Sequence, residues 1–128
     1  MDYFMLKSKI HRATMTAVEP DYEGSIEIDK DLIQAAKLLP YEQVHVWNIT
    51  NGERLTTYVI EVEAGSGRIC LNGAAAHRAR PGDKVIIASF VSLDESELQK
   101  HKPEVVLVDE SNRQITAEEK LEPKRQAC

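Results

Sequence analysis

The chain has 128 residues, with 16 Lys and Arg against 21 Asp and Glu and 42% apolar residues, the profile of one compact domain rather than two. A net charge of −5 offers nucleic acid no general attraction, and the longest apolar-rich run, Val85 to Val91, is far too short to cross a bilayer. Cys70 and Cys128 form no disulfide framework, and no apolar segment of signal-peptide length follows Met1, so the chain reads as cytoplasmic, with no membrane and no nucleic-acid partner.

From Met5, Leu6, Ser8 and Ile10 alternate with Lys7, Lys9 and His11, and Thr14 and Thr16 continue in strand-favouring composition, which predicts a strand with one basic face. Glu19-Pro20-Asp21 stops it, and Ser25 to Ile28 reads as a short strand. Asp29 is a candidate N-cap for a short helix through Leu32, Ile33, Ala36 and Lys37 that Pro40 ends. Gln43 to Thr50 and Arg54 to Glu63 are β-rich runs joined at Asn51-Gly52, a pair suited to the two positive φ angles of a type I′ turn. In the second run Arg54, Thr56, Tyr58 and Ile60 share one face, and Leu55, Thr57 and Val59 the other.

Gly65-Ser66-Gly67 is a turn, Arg68 to Leu71 a strand, and Asn72 a capping residue that opens a short helix through Gly73, Ala74, Ala75 and Ala76. Pro81-Gly82 turns the chain into Lys84 to Val91, apolar on both faces and so predicted to be a buried strand. Val105 to Val108 is a last strand. Charge dominates from 109 onward, so residues 1–108 are taken as the domain and 109–128 as a tail, mobile or packed on a partner. The sum is a mainly β chain of six or seven short strands with two short helices, a pattern that suits a small closed barrel.

Metal chemistry finds no support, because His11, His45, His77 and His101 are scattered without Cys or carboxylate at ligand spacing. Gly65-Ser66-Gly67 lacks the remainder of a phosphate-binding loop, no nucleophile elbow is present, and Arg78 with Arg80 reads as a solvated turn. Tyr22-Glu23-Gly24-Ser25 is different. Gly24 admits strained backbone angles that bring its carbonyl carbon toward the Ser25 hydroxyl, as intramolecular scission requires; an ordinary turn is the alternative.

Tyr22-Glu23-Gly24-Ser25, Lys9-Ile10-His11-Arg12, Trp47-Asn48-Ile49-Thr50-Asn51-Gly52, Thr57-Tyr58, Asn72-Gly73-Ala74-Ala75-Ala76-His77 and Gly82-Asp83 through Ile86-Ile87-Ala88-Ser89-Phe90-Val91 occur together and in order. Together they resemble bacterial aspartate 1-decarboxylases, the pyruvoyl enzymes of pantothenate biosynthesis. The resemblance implies a six-stranded double-psi β-barrel and a homotetramer with sites between neighbouring subunits. It also implies self-cleavage between Gly24 and Ser25 into residues 1–24 and 25–128, with Thr57 as donor to the oxyanion.

The cofactor it implies is a pyruvoyl group made from Ser25, with no PLP and no metal; the group condenses with the amine of L-aspartate and acts as electron sink for CO2 loss, leaving β-alanine. Arg54 and Lys9 are then the candidates for the two substrate carboxylates, with neither assigned to a particular one, and Tyr58 is the candidate proton donor to Cα. Gly73, Ala74 and Ala75 would offer backbone N–H groups to a carboxylate, and Ile86 and Trp47 would pack around the pocket. His11 is either a satisfied strand histidine or a support to Lys9, Asn72 either a cap or an orienting amide, and Tyr22 a substitute proton donor. A maturation factor leaves no mark in the residues. The other function class is a binding or regulatory module of the same fold that stays uncleaved.

Overall fold

A computed structural model describes residues 1–116 of the chain. Nine strands dominate it: β1 (Asp2–Thr14), β2 (Ala17–Glu19), β3 (Ser25–Asp29), β4 (Gln43–Asn48), β5 (Arg54–Val62), β6 (Ile69–Asn72), β7 (Lys84–Asp94), β8 (Glu104–Val108) and β9 (Gln114–Ile115). Two short helices, α1 (Lys30–Ala35) and α2 (Glu95–Leu98), and a 3-10 turn at Gly73–Arg78 complete it. The class is mainly β as expected, with nine strands in place of six or seven. They hydrogen-bond in the order β2-β6-β3-β5-β4-β7-β1-β8-β9. The β1/β8, β2/β6 and β3/β5 ladders are parallel and the rest antiparallel. Among the described residues no helix is long and apolar enough to cross a membrane.

Alternation builds the core. Ile10, Ile26, Ile28, Val44, Val46, Val59, Ile69, Leu71, Val85 and Ile87 are each at most 1% exposed, and they come from one face of six different strands. On β7 the expected burial of both faces holds only in the middle of the strand: Ile87, Ala88 and Ser89 are buried, whereas Phe90 is 41% exposed and Ile86 half-buried. The outward face of β7 meets aromatic side chains instead of core. On β1 the register slips between Leu6 and Ser8 and again between Ile10 and Ala13, where Arg12 takes a φ of 63°.

Asp29 caps α1 as expected, accepting from the Asp31 amide at 2.8 Å. The helix stops before Pro40 acts. Lys37 adopts a φ of 58°, its N–H bonds the Gln34 carbonyl, and the Leu38 N–H bonds the Ile33 carbonyl, which closes a Schellman motif without glycine. The β4–β5 hairpin is present, but its turn is longer than type I′. The Asn48 carboxamide oxygen takes the Thr50 and Asn51 amides, and the Gly52 N–H reaches the Asn48 carbonyl, so Gly52 alone of the Asn51-Gly52 pair has positive φ. The Asn48 side chain, bonded also to buried Asp83 at 2.8 Å, organises the loop.

Asn72 does not cap the turn that follows it, because its side chain is committed elsewhere. Residues 109–116 are tied to the sheet rather than free: Asn112, 2% exposed, bonds the backbone of Thr14 and Gly67, and β9 pairs with β8. Residues 117–128 of the expected tail lie outside the described residues.

Candidate active site

The parallel β3/β5 ladder begins at Ile26 opposite Val59. Thr57 and Tyr58 therefore continue β5 past the start of β3, beside Gly24 and Ser25. A cleft of ≈ 530 Å³ opens there, lined by Gly24, Arg54, Thr57, Tyr58, Ala74 and Ala75 among others. Strand alternation assigns Thr57 to the face opposite Arg54 and Tyr58, yet all three border the cleft, because this stretch of β5 lacks a β3 neighbour and its backbone edge is open.

Ser25 is 3% exposed. Its hydroxyl donates to the Glu23 carbonyl at 3.2 Å and accepts from Asn72 Nδ2 at 3.0 Å. Asn72 stands directly opposite Ser25 in the antiparallel β3/β6 ladder, which is why its amide reaches the hydroxyl and not the backbone of the 3-10 turn. Gly24 is not among the glycines with positive φ, and a Cβ on it would meet only the Asn72 carbonyl oxygen at 3.9 Å. The expected strain at Gly24 gives way to a different constraint. Gly73 has a φ of 71°, and a Cβ there would fall 2.6 Å from Gly24 Cα and 2.7 Å from Gly24 N. Gly73 is small so that the Gly24 segment can lie against it.

Arg54 places its guanidinium 4.7 Å from the Trp47 ring centre, and Trp47 pairs with Ile86 across the β4/β7 ladder. Among the described residues neither Arg54 nor Lys9 makes an ion pair, whereas Lys7 pairs with Glu42, Arg68 with Glu27 and Arg78 with Glu53. Tyr58 stacks loosely on Tyr41, with ring centres 6.4 Å apart. Tyr22 is 57% exposed, its carbonyl close to Gly73, and it does not line the cleft. Lys9 and His11 are half-buried on β1, three positions from β5 in the sheet order, and are not brought to the cleft within one chain. No group of His, Cys, Asp or Glu among the described residues is arranged to hold a metal.

Glu27, Arg68 and Cys70 complete the polar face behind Ser25 and were not singled out from the sequence. Arg68 Nε donates to Glu27 Oε1 at 2.6 Å, and Asn72 Nδ2 donates to Glu27 Oε2 at 3.0 Å. Burial pushes the Glu27 carboxyl up, but the hydrogen bonds from Arg68 and Asn72 and the Arg68 charge outweigh it and hold the group below its ordinary 4.5. Burial raises the Cys70 thiol, which keeps it a neutral donor toward Asn72 Oδ1 at 3.4 Å. The signal available was the spacing of Ser25 with Glu27 and of Cys70 with Asn72, residues two apart on paired strands.

The family model for aspartate decarboxylase matches residues 1–115. An aspartate 1-decarboxylase of Myxococcus xanthus is 54% identical over 96% of this chain and 95% of its own length. One from Dehalococcoides mccartyi is 63% identical over 85% of this chain and 88% of its own, and one from Legionella pneumophila 59% identical over 85% and 82%. Among solved structures, the rationally designed protein mkDPBB_sym_86 overlays with a TM-score of 0.46 at 15% identity, covering 60% of this chain and 90% of that one.

Proposed function

The chain belongs to the aspartate decarboxylase family, and from that premise we propose how its residues carry out the reaction, which converts L-aspartate to β-alanine and CO2 for pantothenate biosynthesis. The group that does the chemistry is a pyruvoyl made from Ser25, and the observation that carries this reading is the hold on the Gly24-Ser25 bond. Ser25 Oγ lies between the Asn72 amide and the Glu23 carbonyl, Gly73 leaves room for Gly24, and the cleft of Arg54, Thr57 and Tyr58 opens alongside. Attack of Ser25 Oγ on the Gly24 carbonyl turns the peptide into an ester, with Thr57 donating to the oxyanion. Elimination across Cα–Cβ of residue 25 and hydrolysis then leave residues 1–24 and a blocked 25–128.

When in place, the pyruvoyl group supplies a carbonyl for the substrate amine and an electron sink for the bond that CO2 leaves. The chain's own residues orient the substrate. The α-carboxylate must stand perpendicular to the plane of that sink, and two cations suit the dianion: Arg54 as a fork and Lys9 as a point charge. Support for Arg54 comes from its place on the cleft wall, its guanidinium held over the Trp47 ring with no ion pair among the described residues. The Trp47 ring holds the guanidinium in place, and the Tyr58 hydroxyl returns a proton to Cα. Lys9 and His11 serve the cleft of a neighbouring copy, so the working unit is a cytoplasmic homotetramer, each chain folded around a six-stranded double-psi β-barrel. Ala74 and Ala75 leave their backbone open to a carboxylate at the cleft wall.

An intact-mass spectrum of the purified chain tests this. Two pieces, 1–24 and 25–128, are expected from the wild type and one from Ser25→Ala, with β-alanine made only by the first. A single uncut chain that decarboxylates aspartate overturns the reading.

A further inference from the structure

β3 and β6 share a face on which Ser25 stands opposite Asn72 and Glu27 opposite Cys70, with Arg68 one step beyond. A carboxamide has two chemically different ends, and Ser25 feels which one it meets. A Glu27 carboxylate can only accept, so it admits the Nδ2 end of Asn72 and repels the Oδ1 end. Oδ1 is then left to the Cys70 thiol, a donor. Both Nδ2 protons are committed, one to Glu27 Oε2 and one to Ser25 Oγ, so the Ser25 hydroxyl must point its own proton at the Glu23 carbonyl. Arg68 locks the carboxylate from its other oxygen at 2.6 Å. With the amide reversed, Ser25 would donate to Oδ1 and lose the donor that stabilises its oxygen as the hydroxyl proton departs.

We propose that Glu27, anchored by Arg68, is a positioning residue for the self-cleavage at Gly24-Ser25, acting by fixing the direction of the Asn72 carboxamide. This rests on the self-cleavage reading above. In the step it serves, the bond from Ser25 Oγ to the Gly24 carbonyl carbon forms, the Gly24-Ser25 C–N bond breaks, and the hydroxyl proton ends on the freed nitrogen of residue 25. The Nδ2–H bond to Oγ lowers the cost of that proton's departure.

Cleavage of the full chain, followed by intact mass after a labelling pulse in bacterial cells, measures the rate. Glu27→Ala is expected to slow it about 10- to 100-fold, the usual scale for a misaligned reacting group. Glu27→Gln keeps an acceptor oxygen for Nδ2 while also tolerating the reversed amide, so it should recover only part of the rate, whereas this isosteric side chain would restore a role in packing alone in full. Melting of each variant in the Ser25→Ala background checks the fold. Should Glu27→Ala fail to fold, Arg68→Met frees the carboxylate from its anchor and is expected to slow cleavage severalfold. A wild type and Ser25→Ala that both stay whole sink the self-cleavage reading itself. A wild type that cleaves alongside an equally fast Glu27→Ala or Arg68→Met, or a Glu27→Gln no faster than Glu27→Ala, overturns the role of Glu27 alone.

Discussion

Arg54 carries its proposed role through what it lacks. Its guanidinium rests on the Trp47 ring and has no carboxylate partner among the described residues, so in the proposed site a substrate carboxylate would meet a cation already oriented. Arg54→Ala, once processed, should lose about 2–5 kcal/mol of substrate or transition-state binding, read as a fall in kcat/KM of roughly 30-fold to several thousand-fold. Tyr58→Phe removes only a hydroxyl, and a proton donor contributes about 10²–10⁴-fold, so β-alanine formation should drop by that factor while borohydride still traps substrate on the chain. For Glu27 the sign is fixed by its carboxyl, which sits below 4.5 when folded. The unfolded chain binds that proton more readily, so the stability it contributes is present above the unfolded value and fades as pH falls through the folded one. Acid melts of Ser25→Ala should show that loss, and Glu27→Gln in the same background should flatten it. Gly24 and Ser25 stood out in the sequence because they sit in a contiguous motif, and Arg54 because it shares a strand face with Tyr58. Glu27 and Arg68 did not, since their meaning comes from the register of β3 on β6, which no local window contains.

Strands and turns were read with uneven success, for physical reasons. β1, β3, β4, β5 and β8 follow alternation and appear close to where it puts them. The Asn51-Gly52 turn lengthened because Asn48 ties two loop amides to its own side chain, and α1 ended early because Lys37 accepted a left-handed angle usually left to glycine. Asn72 has the composition of a cap and the location of a strand end, and cross-strand pairing won. The contact of Gly73 with Gly24 gives the clearest test at this scale. Gly73→Ala puts a Cβ 2.6 Å from backbone, at a φ of 71° that side chains resist. Overpacking of this kind costs about 1–3 kcal/mol, and relief requires the Gly24 segment to move. Intact mass should show the variant largely uncut, and its melt should fall below that of Ser25→Ala.

At the scale of the molecule, Phe4 is 84% exposed and Phe90 41%, and with His45, Trp47 and Arg54 they border a groove of ≈ 730 Å³. Apolar surface of this kind is usually covered. The same face carries Arg54, while Lys9 stands three strands away, so a second copy that covers the aromatics can also complete the charge on the substrate. Light scattering should give four chains per particle. Phe90→Asp should produce smaller particles that are folded and poorly active, and a fully active monomer would exclude sites shared between copies.

The position of the scissile bond has a thermodynamic consequence. It falls between β2 and β3, so the shorter piece keeps β1, the strand wedged between β7 and β8. The proposed scission would make each chain's own fold an association of two pieces: no covalent tether would return β1 to its slot once it leaves, and the junction could not be remade. The melting midpoint of the cut form should rise with protein concentration in a way that its uncut Ser25→Ala counterpart does not match, and heating past it should be a one-way transition.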